Sequence, residues 1–293
     1  MILIRKLFRD VWLALVVMLL LLFAFQLLWA KVTQRIAGEV LARFVDLGVD
    51  IATLRSIIFT DSGKIIQTLM GGETIALERG ADMMSIAYVH PLTQMILCIW
   101  AIGRAAGALA GEIDRGTMEL LLAQPIRRAN VVLAHLAIDG IAIPALALTL
   151  WLGTTVGVHL VGLADSNVEQ LRVDPTRFLP ATLSVTALVF AVSGSTMALS
   201  ALGRLRGRVL GIAVLTMLVQ FLVNVVSQLW PPMETLRPWT IFYYYQPQQM
   251  ILKENWARLP SVWFRISILT SIGVGGYLFA LWHFCRRDLP APL

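Results

Sequence analysis

Apolar residues run almost unbroken near 11–30, 86–110, 131–162, 178–202, 209–229 and 262–285, separated by shorter stretches that hold most of the polar and charged positions. Each run approaches or exceeds the ~20 apolar residues a helix needs to cross ~30 Å of hydrocarbon. In hydrocarbon every backbone N–H and C=O must be satisfied within the segment, so runs of this kind predict helices. The pattern therefore predicts an all-α integral membrane protein of six transmembrane helices. The third run is longer than one crossing requires, and its His135 and Asp139 are expected to avoid deep lipid, which predicts an interfacial turn within it. Pro144 in the same run predicts a kink. The first run, Val11 to Ala30, follows Arg5, Lys6 and Arg9 as a signal peptide would. It exceeds the usual apolar length of about 7–15 residues and no small-x-small site follows, so an uncleaved first helix is expected.

The intervening segments have their own patterns. In 31–85, Val32, Ile36, Val40, Phe44 and Leu47 recur at helical spacing amid charged residues, which predicts an amphipathic helix. Asp61-Ser62-Gly63 and Gly71-Gly72 predict turns after it. A surface helical hairpin and a binding cap both fit this segment. In 230–261, Trp230, Trp239, Tyr243-Tyr244-Tyr245 and Trp256 are the aromatics expected at headgroup depth. Pro231, Pro232, Pro238 and Pro247 in the same loop predict short broken helices that dip part-way into the protein.

Charge then orients the spans. Of the 293 residues 58% are hydrophobic and 14% charged, well under the roughly one quarter of a soluble domain. The net charge of +6 comes from clusters at the ends of the runs, which is a topology signal and not the continuous basic stripe of a nucleic-acid binder. Arg5, Lys6 and Arg9, Arg127 and Arg128, Arg204, Arg206 and Arg208, and Arg286 and Arg287 mark four flanks as cytoplasmic. Both termini are then inside, and 31–85, 163–177 and 230–261 are outside. Cys98 and Cys285 fall in or at the end of runs, and no CxxC or Cys/His cluster exists, so neither a disulfide nor a metal site is expected.

Polar and small residues inside the runs are the remaining candidates. Gly103, Gly107 and Gly111 recur every four residues, as do Gly153 and Gly157, a spacing that lets helices approach closely. Arg104 beside them is expected to snorkel to the cytoplasmic headgroups. His135 and Asp139, one turn apart, suit interfacial capping better than a proton relay, and His90 and His159 read as interface residues. Thr216, Gln220, Asn224 and Gln228 form a polar stripe on span five. It faces either a cavity or hydrogen-bonding neighbours, and the sequence leaves both open.

Residues 111–128, Gly-Glu-Ile-Asp-Arg-Gly-Thr-Met-Glu-Leu-Leu-Leu-Ala-Gln-Pro-Ile-Arg-Arg, read as a short cytoplasmic helix. Thr117 is placed to cap it, Glu119 favours the positive end of its dipole, Met118, Leu121 and Leu122 give an apolar face, and Pro125 stops it. The segment resembles the cytoplasmic loop of ABC-2 type transporter permeases, through Gly111-Glu112, Gly116-Thr117, Glu119, Leu121-Leu122, Pro125 and Arg127/Arg128. The resemblance covers about 18 residues, and the six spans with both ends inside agree with it. It implies one transmembrane domain over 1–293, with an outer segment 31–85, a coupling loop 111–130 and an outer aromatic loop 230–261. The loop's helix is then a coupling helix docking on a separate ABC ATPase subunit, two copies of which serve two facing permease protomers, identical or homologous. Docking roles carry over to Glu112, Glu119 and Leu121, and Thr117, Leu122, Arg127 and Arg128 are taken with them as ATPase-coupling positions. The span-five stripe becomes a candidate border of the translocation path. The roughly 55-residue outer segment departs from the family's usual pattern.

No Gly-x4-Gly-Lys-Ser/Thr cradle occurs, and Gly63-Lys64 is followed by Ile65, so no cofactor is expected in this chain and ATP and Mg²⁺ are expected on the partner. A multi-pass protein of the cell membrane, not itself an enzyme and with no nucleic-acid partner, is the resulting expectation. An intramembrane enzyme would need an HExxH, GxSxG or paired carboxylates, and none is present. An ion-coupled carrier would favour midplane carboxylates, for which Asp139 is the only candidate and reads as too near the inner edge. An ABC assembly with a mechanical or signalling output fits the same residues.

Overall fold

The structure, a computed structural model, describes residues 2–36, 79–124, 126–166 and 168–287. Among these residues the fold is helical: α1 (Ile2–Arg35), α2 (Gly80–Val89), α3 (Pro91–Ala108), α4 (Ala110–Asp114), α5 (Thr117–Leu122), α6 (Arg128–Leu160), α7 (Ala181–Leu202), α8 (Arg206–Leu229), α9 (Ile241–Tyr244), α10 (Pro247–Leu252) and α11 (Pro260–Arg286). Six stretches are long and apolar enough to cross a membrane: α1, α2 with α3, α6, α7 with its preceding turn, α8 and α11. All six coincide with the apolar runs. α1 extends well beyond its run because a helix does not stop where apolarity stops; Arg5, Arg9 and Lys31 carry their charges off its ends. Most of 31–85, with Val40, Phe44, Leu47 and both expected turns, lies outside the described residues.

The second span is broken, and the break is chemically accounted for. Pro91 has no N–H to continue the helix, and His90 leaves it at ψ 136°. The carbonyls freed there are taken by side chains: Thr93 Oγ1 donates to Ala87 O at 2.7 Å and Gln94 Nε2 to Val89 O at 2.5 Å. His90 packs its ring against Phe25 and Trp29 of α1. The third span, by contrast, is one uninterrupted helix through Pro144, so the expected interfacial turn is absent. The reason is that His135 and Asp139 have buried partners on other helices and need no exit from the membrane.

Small residues set which spans touch. α1 lies along α6, where a Cβ at Gly153 would stand 2.8 Å from that of Gln26 and one at Gly157 2.8 Å from that of Ala30, which bears out the packing expected of this pair. α7 and α11 approach more closely still: Gly194 of α7 meets the backbone of Gly273 and Gly276 with no room for a Cβ. Gly107 and Gly111 do not meet another helix backbone; the side chain of Arg206 lies over both, and Gly103 faces open space. α8 is, with α1, one of the two least covered spans, burying only Val209, Ala213, Met217 and Ser227.

The 230–261 loop forms the expected broken helices, including a 3-10 helix over Pro231–Trp239. Its first part stays on the surface of the bundle, with Trp239 86% exposed, while Ile241, Phe242, Tyr245, Met250 and Ile251 are buried in it. Tyr245 Oη donates to Tyr88 O at 2.6 Å and Gln248 Nε2 to Ser85 Oγ at 3.1 Å, so α9 and α10 plug the end of the bundle opposite α5.

Candidate functional site

The α4–α5 segment is fastened to the bundle before it protrudes. Where α3 ends, the N–H groups of Leu109 and Ala110 donate to Ser200 Oγ at 3.2 and 3.0 Å, and Ser200 Oγ donates to Ala106 O. α7 thereby takes up the orphan groups of a helix break. Asp114 Oδ2 accepts from the backbone N–H of Arg206 at 3.2 Å, which fixes α4 to the start of α8. Gly116, at φ 67°, then folds the chain back in the left-handed region that glycine adopts at least cost.

That reversal decides what Thr117 does. The sequence placed it as the cap of the helix, but it is the first helical residue, preceded by Gly116, and makes no cap hydrogen bond. Its hydroxyl donates instead to Glu112 Oε2 at 2.5 Å, because the turn lays α5 back against α4. Glu112 also holds Arg115 at 2.6 Å, so both its oxygens are engaged within the segment. Met118 points into the bundle and is 2% exposed. Leu121 and Leu122 pack partly against the same apolar cluster. The uncovered face of α5 is Glu119 with Leu120, which is 71% exposed and which the sequence did not single out. Arg127 is exposed, while Arg128 Nη1 donates to Arg287 O and so ties the start of α6 to the end of α11. Pro125 lies outside the described residues.

Deeper in the same half of the bundle is a charged cluster. Arg104 is buried and ion-paired with Asp139, in place of the snorkelling expected of it. Ser193 Oγ and Tyr277 Oη both donate to Asp139 Oδ2. Arg104 Nη2 also donates to Tyr277 Oη, and Arg104 Nη1 lies 3.1 Å from His135 Nδ1. His135 and Asp139 are therefore not interfacial caps. From the neighbouring helix ends, at about 1.5 Å per residue, Ser193, Tyr277 and Asp139 lie about 13–17 Å inside, well within the bundle. A lone arginine near a span end ordinarily reads as snorkelling. The available signal was that three apolar runs carry Asp139, Ser193 and Tyr277 at a similar depth, within reach of a long arginine side chain from a fourth.

The span-five stripe divides. Gln220 Oε1 accepts from Ile241 N at 3.0 Å and Asn224 Oδ1 from Arg237 Nε at 3.3 Å, so these two hold the 230–261 loop of their own chain. Gln228 Nε2 donates back to Asn224 O, and Thr216 is exposed. Beside the stripe a cavity of about 510 Å³ opens between α3 and α8, lined by Met95, Cys98, Met217, Phe221 and Phe242. Gln94 also lines it, and its Oε1 is buried without a hydrogen-bond partner.

Six membrane spans among the described residues, with a short helix anchored between the second and third, define a polytopic membrane protein. The chain belongs to the ABC-2 family: the model of the ABC-2 family transporter protein matches residues 4–289. No curated protein and no solved structure matches it. Membership makes the chain a permease component of an ABC transporter.

Proposed function

We propose that this chain is the membrane-spanning subunit of an exporter of the cell membrane, energised by a separate ATPase that docks on α5. The observation that carries the reading is the geometry of α5: Met118 is anchored in the bundle while Glu119 and Leu120 are left open beside it. A six-residue helix with a large exposed leucine next to a carboxylate has the chemistry of a partner contact. ATP and Mg²⁺ are bound by the ATPase, two copies of which serve two permease protomers. Closure of the ATPases displaces α5, and the α4–α7 and α4–α8 hydrogen bonds pass that displacement to the spans. Energy enters only as a difference in fit between α5 and two ATPase states.

The substrate route runs between protomers along α3 and α8. The apolar cavity lined by Met95, Met217 and Phe221 supports a largely apolar substrate. The exposed apolar face of α8, which includes Leu215, Leu218 and Leu222, supports its placement toward the second protomer.

Leu120→Asp tests the docking. The substitution places a charge on the open face and leaves the bundle contacts of Met118 untouched, so the chain should insert and fold normally yet lose its co-purifying ATPase. Undiminished co-purification would overturn the docking role of α5.

A further inference from the structure

We propose that Arg104 and Asp139 are a positioning pair: the joint at which movement of α5 is converted into a common tilt of spans two, three, four and six. The inference rests on the reading of α5 as the ATPase contact and adds the element that transmits its motion.

Arg104 lies on α3, which runs into α4 and α5, and Asp139 lies on α6, which leaves the same loop. The pair therefore cross-links, inside the bundle, the two helices that carry the loop at its base. Its other ligands come from the remaining two helices of this half: Ser193 from α7 and Tyr277 from α11, both on Asp139 Oδ2. Four spans meet at one carboxylate oxygen. α1 and α8 contribute no group to it among the described residues.

The cluster is also in line with α5. Met118, the inward residue of α5, belongs to one apolar cluster with Ala105, Val131, Met197 and Tyr277. Tyr277 thus shares an apolar cluster with Met118 while its hydroxyl reaches the ion pair. A displacement of α5 meets first a packed layer and then a charged tie. Such a layer does not allow α3 and α6 to slide independently.

A purely structural role explains the pair less well. Arg104 Nε and Asp139 Oδ1 are buried with no hydrogen-bond partner, and a buried ion pair left partly unsatisfied stabilises a bundle less than apolar side chains of the same volume. What the charges supply, and apolar packing does not, is a directional tie between named helices. The glycine contacts of Gly194 with Gly273 and Gly276 hold α7 to α11 and Ser200 holds the end of α3 to α7, so the tie adds α6 to the block and links all four helices at a second, deeper point.

The test uses the full chain in complex with its co-purifying ATPase, with Cys98→Ala and Cys285→Ser as background. Spin labels at Leu179→Cys, beside α7 at the end opposite α5, and at Trp239→Cys, in the turn that Gln220 and Asn224 of α8 hold, report movement of the four-span block against span five. Both positions are exposed. In the native pairing, trapping with ATP and vanadate should shift the label distance. The double variant Arg104→Met with Asp139→Leu removes both charges together, and should keep ATPase binding and basal hydrolysis while losing the shift. Arg104→Gln with Asp139→Asn, closer in shape, serves if the first double variant folds poorly, and Arg104→Lys should retain most of the shift. A native-sized shift in either neutral double variant would overturn the joint. Failure of the chain with its charges intact to bind ATPase would instead overturn the reading of α5, and the joint with it.

Discussion

At the scale of single residues, the same glycine spacing turns out to serve different ends. Gly153 and Gly157 admit α1, Gly107 and Gly111 admit one arginine side chain, and Gly103 admits nothing. Periodicity reports that a helix has a bare face; it does not report what lies opposite, because lipid, a helix and a long side chain all accept such a face. Gly194 was not legible at all, since its partners Gly273 and Gly276 are on a distant run. The consequences separate by substitution. Gly194→Ala puts a Cβ into the backbone of Gly273, and overpacking of this kind costs about 1–3 kcal/mol. Gly103→Ala meets open space and should be neutral or stabilising by up to about 1 kcal/mol, the helix-propensity difference. Thermal unfolding of the detergent-solubilised chain should therefore show a lowered midpoint for the first and none for the second.

At the scale of elements, the third and fifth spans show where polar residues mislead. His135 and Asp139 in an apolar run argued for a turn at the interface, and the helix instead continues because groups on three other helices pair with them. Which helices those are depends on lateral packing, and between spans the hydrophobic effect gives no direction because lipid is as apolar as leucine. The span-five stripe was legible as a stripe, yet Gln220 and Asn224 face a loop of the same chain. Gln220→Leu removes the acceptor for Ile241 N–H at the buried start of α9, and an unanswered buried amide costs about 1–3 kcal/mol. Hydrogen exchange in 240–245 should rise while the amides of α7 and α11 stay protected. Unchanged exchange there would show that Gln220 does not hold the loop. Asn224→Cys addresses the route: reaction with a small aqueous thiol reagent is expected if the stripe borders a wet passage, and absence of reaction in both nucleotide states would remove it from the path.

For the whole molecule, the number of spans was legible because the bilayer admits few solutions, and the packing was not, for the reason just given. Direction across the membrane is a third matter, set by the placement of basic residues. α5, the 203–205 turn and Arg287 share one end of the bundle: Arg287 Nη1 donates to Ala201 O and Gly203 O at 2.6 and 2.9 Å, and Asp114 Oδ2 accepts from Arg206 N. Three of the four basic clusters therefore belong to a single face, and the positive-inside bias acts on them together and not as competing signals. A reversed molecule would have to carry all of them across the membrane. Single cysteines at Ser62 and at Gly207, in a background with Cys98 and Cys285 replaced, test this with a membrane-impermeant reagent on sealed cells. Gly207 is exposed and a Cβ there meets nothing within 4 Å, so the substitution itself should be silent. Ser62→Cys should label and Gly207→Cys should label only after the membrane is opened. The opposite pattern would place α5 outside, beyond the reach of any cytoplasmic ATPase, and would defeat the docking proposal before its own variants were made.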